Sequence, residues 1–301
     1  MNFLDRLVSF TLPAVPKPVV GFFCRHYIAG ESIEQALGVV RELKNQGAMA
    51  TLDILGEFIS SREEARANTA EYVALIDRIH QEQLAETNVS VKLSALGLLL
   101  DPEFCLENTR ELLERIDATD NFLRIDMEDA SCTDNTLSIY RALREERPNR
   151  VGVVLQSRLL RTQADLDGLA DAPTNIRLCK GIYLEPPEIA HTEYEPIRQN
   201  FVTVLEQMFK RGVSAGIATH DKWLTQEALR LIDTYRIPGD RYEFQMLLGV
   251  TEELRGRLIA AGHRMRVYIP YGKNWYAYSV RRLRENPQLA GHGFRAIFKR
   301  S

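Results

Sequence analysis

Cysteine is scarce in this chain of 301 residues, and no cysteine lies in a C-x-x-C pair or beside a group of histidines. This spacing excludes the common zinc-binding motifs, so we expect no metal site. So few thiols in a chain of this size are typical of a reducing compartment. The cysteines are Cys24, Cys105, Cys132 and Cys179.

The chain also lacks a marked excess of charge of either sign. It has 38 Lys and Arg against 41 Asp and Glu, a formal net charge of −3. This balance gives no electrostatic reason to expect nucleic acid or an anionic membrane as the main partner. We therefore predict no nucleic-acid partner.

No apolar run reaches the length of about 18 residues that a membrane span needs. Residues Leu7–Cys24 are mostly apolar, but three prolines and Lys17 interrupt them and Asp5 precedes them. A signal peptide begins with basic residues and continues with an unbroken apolar core. We expect instead a short helix and a turn that pack on the domain of a cytoplasmic protein. Peripheral contact with the inner face of the cell membrane is the alternative.

Short apolar runs rich in β-branched residues alternate with longer segments of helical periodicity. Such runs are typical of strands in a parallel sheet that is covered on both faces. The runs are Met49–Leu55, Val89–Leu93, Phe122–Met127, Val151–Gln156, Asn175–Lys180, Val213–Thr219, Tyr242–Leu247 and Met265–Ile269.

The segments between the runs carry helix signals. Ser32 is a candidate N-cap with Gln35 at the capping-box position, and Gly47 lies just beyond the end of the apolar stripe that follows. A second helical stripe is predicted to begin at Thr225.

Eight strand-and-helix units predict an α/β fold, a (βα)8 TIM-like barrel, with short N-terminal helices. An open doubly wound sheet is the competing topology, but no G-x-G-x-x-G motif follows any of the strands. We divide the chain into an N-terminal helical segment, residues 1–45, and a barrel, residues 46–301.

Almost every predicted strand ends in a polar residue. In a barrel these ends meet at one mouth, where active sites of this fold are built. Crowded polar groups cost free energy unless they serve one another or a ligand, so the set predicts a site. Its members are Asp53, Lys92, Asp126, Gln156, Lys180, Thr219, His220, Gln245 and Tyr268.

The segment after the last strand carries a second signal. Tyr278, Arg281, Arg282 and Glu285 are spaced to share one face of a helix. Two adjacent guanidiniums can clamp a carboxylate, and Glu285 is placed to hold one of them. A solvated basic helix end is the alternative.

Several separated motifs in one order resemble the proline dehydrogenases, both the monofunctional bacterial type and the equivalent domain of the bifunctional proline utilization protein. The ordered set is specific, although each motif is weak alone. The motifs are Leu52-Asp-Ile-Leu-Gly-Glu57, Val91-Lys-Leu93, Arg124-Ile-Asp-Met-Glu-Asp129, Val154-Leu-Gln156, Arg177-Leu-Cys-Lys-Gly-Ile-Tyr183, Ala218-Thr-His-Asp221, Tyr242-Glu-Phe-Gln-Met-Leu247, Arg266-Val-Tyr-Ile-Pro270 and Tyr278-Ser-Val-Arg-Arg282.

This resemblance implies a barrel whose eighth helix sits over the mouth and which binds FAD without a Rossmann motif. It implies oxidation of L-proline to Δ1-pyrroline-5-carboxylate, with electrons passed to a quinone at the membrane. We expect a pyrroline-5-carboxylate dehydrogenase to act as a separate partner protein.

The resemblance also implies roles for matching residues. Lys92, Arg281 and Arg282 would bind the proline carboxylate, and Asp126 would stand near the reacting centre. Arg177 would lie beside the flavin N5. The walls of the pyrrolidine site would be Tyr183, Leu247 and Tyr268. The remaining cofactor residues would be Met127, Gln156, Lys180, Gly181, Ile182, Thr219 and His220.

Two other functions stay open on the residues alone. Lys92 or Lys180 could serve as the amine of a Schiff-base aldolase on the same barrel. A non-catalytic amino-acid sensor would keep the arginine clamp without the cofactor. The chain also departs from the family pattern at Cys179, Ile182, Leu184 and Asp221, which are cofactor-side positions.

Overall fold

The computed structural model describes residues 26–56, 59–169, 174–276 and 279. Within them eight parallel strands form a closed barrel in chain order, and β1 pairs with β8. The strands are β1 Met49–Ile54, β2 Thr87–Val91, β3 Leu123–Ile125, β4 Val151–Gln156, β5 Asn175–Cys179, β6 Ser214–Ala218, β7 Tyr242–Leu247 and β8 Met265–Tyr271.

Helices join the strands and surround the barrel. They are α1 Ile33–Asn45, α2 Arg62–Gln81, α3 Pro102–Ala118, α4 Thr133–Glu146, α5 Thr162–Asp167, α6 Tyr194–Lys210, α7 Lys222–Tyr235 and α8 Glu252–Ala260. Short 3-10 turns at Leu93–Leu96 and Ala130–Cys132 follow β2 and β3. Of the helices in these ranges, none is long and apolar enough to cross a membrane.

The predicted barrel is confirmed, and α1 begins as expected. The Ser32 side chain accepts a hydrogen bond from the Gln35 backbone N–H, and the Gln35 side chain accepts one from the Ser32 N–H. This capping box satisfies backbone donors that the first turn leaves open. Ala36, Leu37 and other buried residues of α1 join the core of the barrel. The boundary between residues 45 and 46 stays a prediction.

The start of α7 was predicted too late. The helix begins at Lys222 instead of Thr225, because the Asp221 side chain caps it by accepting a hydrogen bond of 3.1 Å from the Trp223 N–H. The short helix expected within residues 7–24 lies outside the described residues, as do Tyr278, Arg281, Arg282 and Glu285.

The two faces of the barrel sheet carry different side chains. Alternate residues of each strand point outward, and the aliphatic ones form the core with the helices. The inward positions are largely polar, whereas bulky aliphatic residues usually fill a barrel of this kind. The inward polar residues include Thr51, Asp53, Asn88, Ser90, Arg124, Asn175, Arg177, Glu243, Gln245, Arg266 and Tyr268.

Two inward glycines make room for this polar interior. A Cβ at Gly152 would lie 2.5 Å from Arg124 Nη1 and 2.6 Å from the carbonyl oxygen of Asn175. A Cβ at Gly216 would lie 2.6 Å from Gln245 Nε2 and 3.3 Å from the Cα atom of Arg177. The long polar side chains therefore occupy the volume that side chains on β4 and β6 would otherwise fill.

We predict that Gly152→Ala lowers the free energy of unfolding by about 1–3 kcal/mol, because the added methyl group overpacks the barrel interior. The control is Gly256→Ala, in the middle of α8, where an added Cβ meets nothing within 4 Å. That change should raise the stability by about 0.5–1 kcal/mol. Urea unfolding followed by circular dichroism measures both, and a Gly152→Ala protein as stable as the parent would contradict the packing argument.

Candidate active site

The polar strand ends meet at the carboxyl-terminal mouth of the barrel. Lys92 Nζ, just after β2, donates to Asp53 Oδ2 at 2.8 Å and to the Tyr268 hydroxyl at 3.3 Å. The Tyr268 hydroxyl in turn donates to Asp126 Oδ2 at 2.7 Å. Side chains from the first, second, third and eighth strand units thus converge on one point.

Asp126 is the centre of this network. Its Oδ1 atom accepts from Ser90 Oγ at 2.8 Å and from Arg177 Nη1 at 2.6 Å. Arg177 reaches Asp126 from β5, across the interior of the barrel, and its guanidinium carbon lies 5.3 Å from the centre of the Tyr268 ring. The side chains of Lys92, Asp126 and Arg177 are 10, 11 and 8% exposed, so these charges depend on one another instead of on water.

A second group of charges surrounds Asp221, at the mouth end of β6. Arg198 of α6 binds the carboxylate with two hydrogen bonds of 2.8 Å, and Tyr194 donates to it at 2.6 Å. Lys180 Nζ lies 3.5 Å away. Burial raises the pKa of Asp221, but Arg198, Tyr194 and Lys180 outweigh burial and hold it well below its usual range. Burial lowers the pKa of Lys180, and the ion pair with Asp221 opposes that shift.

The loop after β5 turns sharply beside Gln156. Gly181 has a φ of +93°, and a Cβ there would lie 2.8 Å from Gln156 Oε1. Gln156 is itself fixed, because its Nε2 donates to the Glu128 carbonyl oxygen at 2.8 Å. Glycine therefore allows the backbone to approach the floor of the mouth closely. Ile182 and Tyr183 continue the loop and are half-buried.

His220 joins the ends of β6 and β7. Its Nε2 atom accepts a hydrogen bond of 2.9 Å from the backbone N–H of Leu247. A neutral His220 in this contact carries its proton on Nδ1. The neighbouring Thr219 is buried, and its hydroxyl accepts from the Asp221 N–H at 3.1 Å.

Of the residues predicted to form the site, the structure brings Lys92, Asp126, Arg177 and Tyr268 into one network. Gln156 lies beside the Gly181 backbone. Met127, which follows Asp126 in the sequence, is buried. Lys180 joins the group around Asp221, and His220 contacts Leu247 through that residue's backbone. Arg281 and Arg282 lie outside the described residues.

The sequence did not indicate which partners several residues of the site would bind. Asp53 was predicted only as a member of the polar strand-end set, and the structure pairs it with Lys92. Ser90 and Gln245 had no assigned role, although polar residues at every second strand position gave a usable signal. Arg198 lies on a helix and carried no such signal. In the ranges that the structure describes, no cluster of His, Cys, Asp and Glu is suited to a metal.

The family model described as proline dehydrogenase matches residues 36–292. The chain belongs to the proline dehydrogenase family. It is 36% identical over 276 residues to proline dehydrogenase 1 of Bacillus subtilis subsp. natto, covering 92% of this chain and 91% of that protein. It is 37% identical over 277 residues to proline dehydrogenase of Deinococcus radiodurans, covering 91% of this chain and 89% of that one.

Longer proteins contain a similar unit. The bifunctional protein PutA of Klebsiella aerogenes is 26% identical over 86% of this chain, which spans 23% of that protein. The crystal structure of proline utilization A from Bdellovibrio bacteriovorus, inactivated by N-propargylglycine, superimposes with a TM-score of 0.84 at 23% identity. It covers 93% of this chain and 36% of that one, and at this identity it supports the proline dehydrogenase barrel fold alone.

The charged interior of the barrel gives a pH prediction. Burial raises the pKa of Glu243, but Arg266, Gln245 and Arg124 outweigh it and lower the pKa to about 2. A carboxylate with a lowered folded-state pKa adds stability above its unfolded pKa, and loses it as the pH falls toward the folded value. Above pH 5, Glu243→Gln should therefore lower the free energy of unfolding by about 3 kcal/mol. This loss should become smaller as the pH falls toward 2.

Urea unfolding between pH 7 and pH 2 measures this difference. Glu253→Gln is the control, because Glu253 pairs with Arg257 on the surface, with side chains 79 and 67% exposed. An exposed pair of this kind contributes only about 0–1 kcal/mol. A pH-independent difference between the parent and Glu243→Gln would refute the assigned ion pair.

Proposed function

We propose that the chain uses FAD to oxidise L-proline to Δ1-pyrroline-5-carboxylate and passes the electrons to a quinone. The observation that carries the proposal is the buried network of Lys92, Tyr268, Asp126 and Arg177 at the mouth of a barrel of the proline dehydrogenase family. A separate pyrroline-5-carboxylate dehydrogenase would take the product onward.

The proline carboxylate would be bound by Lys92 together with Arg281 and Arg282. Asp53 and Tyr268 hold the Lys92 ammonium at the mouth, so it is in place before a substrate arrives. Cations around a carboxylate also lower the pKa of the neighbouring amine, because like charge disfavours its protonated form. Loss of a hydride from C5 requires that neutral amine.

Asp126 would stand near the reacting carbon of proline. Three donors fix its carboxylate, namely Ser90, Arg177 and Tyr268, so it cannot rotate away. Such preorganisation lowers the barrier without any movement at the moment of reaction. Tyr268, Leu247 and Tyr183 would line the pyrrolidine ring. The proposed chemistry needs no side-chain nucleophile.

The residues on the opposite side of the mouth fit a flavin. Gly181 lets the backbone pass close to Gln156, where a Cβ would clash, and Lys180 and Arg177 supply cations from the same strand unit. When bound, FAD supplies the two-electron acceptor at its N5 atom. Arg177, Lys180 and Gly181 would hold it together with Met127, Gln156, Ile182, Thr219 and His220.

An anaerobic spectrum of the purified protein tests the proposal. Yellow protein that bleaches on addition of L-proline and recolours with a quinone analogue is the expected result. Yellow protein that does not bleach would reject proline as the substrate. Colourless protein that binds proline but gains no colour with FAD would identify the sensor instead. An adduct trapped by borohydride with a carbonyl substrate would identify the aldolase.

We predict that Arg281→Met raises the KM for proline at least about tenfold, worth ~1.4 kcal/mol, and leaves the flavin bound. The loss of a charge-assisted contact to the carboxylate is the reason. Arg230→Met is the control, since Arg230 is exposed on the surface of α7 and pairs there with Glu227. Steady-state kinetics with a quinone analogue measure both, and a smaller shift in KM would count against the clamp.

We also predict that the chain prefers L-proline to trans-4-hydroxyproline, because the bulk of Tyr268 leaves little room for a ring hydroxyl. The preference is the ratio of kcat/KM for L-proline to kcat/KM for trans-4-hydroxyproline. Tyr268→Ala should lower this ratio. Tyr268→Phe keeps the ring and removes the hydrogen bond to Asp126, so it should slow turnover and keep the preference. Comparable turnover of both substrates by the parent would overturn this assignment.

A further inference from the structure

A chain of hydrogen bonds runs from the mouth of the barrel to its opposite end. Arg177 Nε donates to Gln245 Oε1, and Gln245 Nε2 donates to Glu243 Oε1 at 2.6 Å. Glu243 accepts in turn from Arg266 Nε at 2.7 Å and from Arg266 Nη2 at 3.1 Å. The same Arg177 binds Asp126, so the chain ends at the centre of the active site.

The groups on either side of Gln245 fix the orientation of its side-chain amide. A guanidinium can only donate hydrogen bonds, and an ionised carboxylate can only accept them. Gln245 lies between one of each, so its carbonyl oxygen must face Arg177 and its NH2 group must face Glu243. Reversing the amide would set NH2 against a guanidinium and oxygen against a carboxylate.

Glu243 is itself fixed at the amino-terminal end of the barrel. Arg266 holds it, and Arg266 Nη1 is anchored to the carbonyl oxygens of Ala50 and Glu86 at 2.7 and 2.9 Å. The Glu243 side chain is only 15% exposed. Arg266, Gln245 and Arg124 outweigh the effect of burial and keep the Glu243 carboxylate ionised.

We infer that Glu243 and Gln245 are positioning residues for the active site. Glu243 fixes the orientation of the Gln245 side-chain amide, and that amide fixes the orientation of the Arg177 guanidinium beside Asp126. Both residues would act through Arg177, because Gln245 lies between Glu243 and Arg177. Their effect on the reaction rests on the proposed function, whereas the orientation of Arg177 can be measured without it.

Exchanging the two side chains provides the sharpest test. Glu243→Gln removes the carboxylate that orients the amide, and Gln245→Glu sets two carboxylates against each other. The double variant E243Q/Q245E restores the order of donors and acceptors, since Gln at 243 accepts from Arg266 and donates to Glu at 245. It also keeps one Glu and one Gln in the pair.

A further variant, Gln245→Leu, removes the hydrogen bonds that join Arg177 to Glu243 and leaves the ion pair between Glu243 and Arg266 intact. It provides a test if the charge changes prevent folding.

Two readouts are compared in each variant. The first is the exchange protection of the Arg177 Nε–H in nitrogen-edited NMR spectra, with the signal identified by its loss in Arg177→Lys. The second is the split between kcat and KM for L-proline. Glu86→Gln is the matched control, because Glu86 is an exposed acid at the same end of the barrel whose side chain is outside the chain of hydrogen bonds.

We expect the single variants and Gln245→Leu to lose the Nε–H protection and to lower kcat about tenfold, equal to ~1.4 kcal/mol, with less change in KM. The double variant should regain the protection and most of the rate, and Glu86→Gln should match the parent. Retained protection in both Glu243→Gln and Gln245→Leu would overturn the inference. So would a folded double variant that is as impaired as the singles.

The proposed function fails separately from this inference. If the parent protein is not reduced by L-proline, the substrate assignment is rejected, while the Nε–H signals still decide whether Glu243 and Gln245 orient Arg177.

Discussion

The fold depends on pairing charges that are buried inside the barrel. Where other barrels place aliphatic side chains, this one places arginines, carboxylates and amides from end to end. An unpaired charge in such a place costs several kcal/mol. Asp126, Glu243 and Asp221 each receive donors from more than one element, so the geometry of any one of them is set by several strands or helices together.

This arrangement places the apolar core and the polar groups of the site on opposite faces of one sheet. The apolar residues of each strand face the helices and form a continuous core, while the polar residues face inward. Substitutions on the outward side change stability through packing, whereas those on the inward side change both stability and the geometry of the polar network. Arg124 illustrates the cost of the inward side, since burial and the charge of Arg177 lower its pKa to about 9.

The sequence alone predicted the architecture well. All eight strands lie within two residues of their predicted ends, because apolar runs flanked by helix signals are local features. The residues at the mouth could be predicted as a set, since strand ends in a barrel meet at one place. The pairing among them could not, because the contacts of Arg177 with Asp126 and of Arg198 with Asp221 join positions 51 and 23 residues apart. Only the register and tilt of the closed sheet decide such contacts.

One guanidinium lies at the seam of the barrel. Arg266 belongs to β8, yet it binds the backbone of β1 at Ala50 and the residue before β2 at Glu86. Because β1 pairs with β8, the ring cannot close during synthesis until the last strand has left the ribosome. A newly made chain therefore exposes an open edge of β1 for most of its synthesis, which is when aggregation between nascent chains would begin.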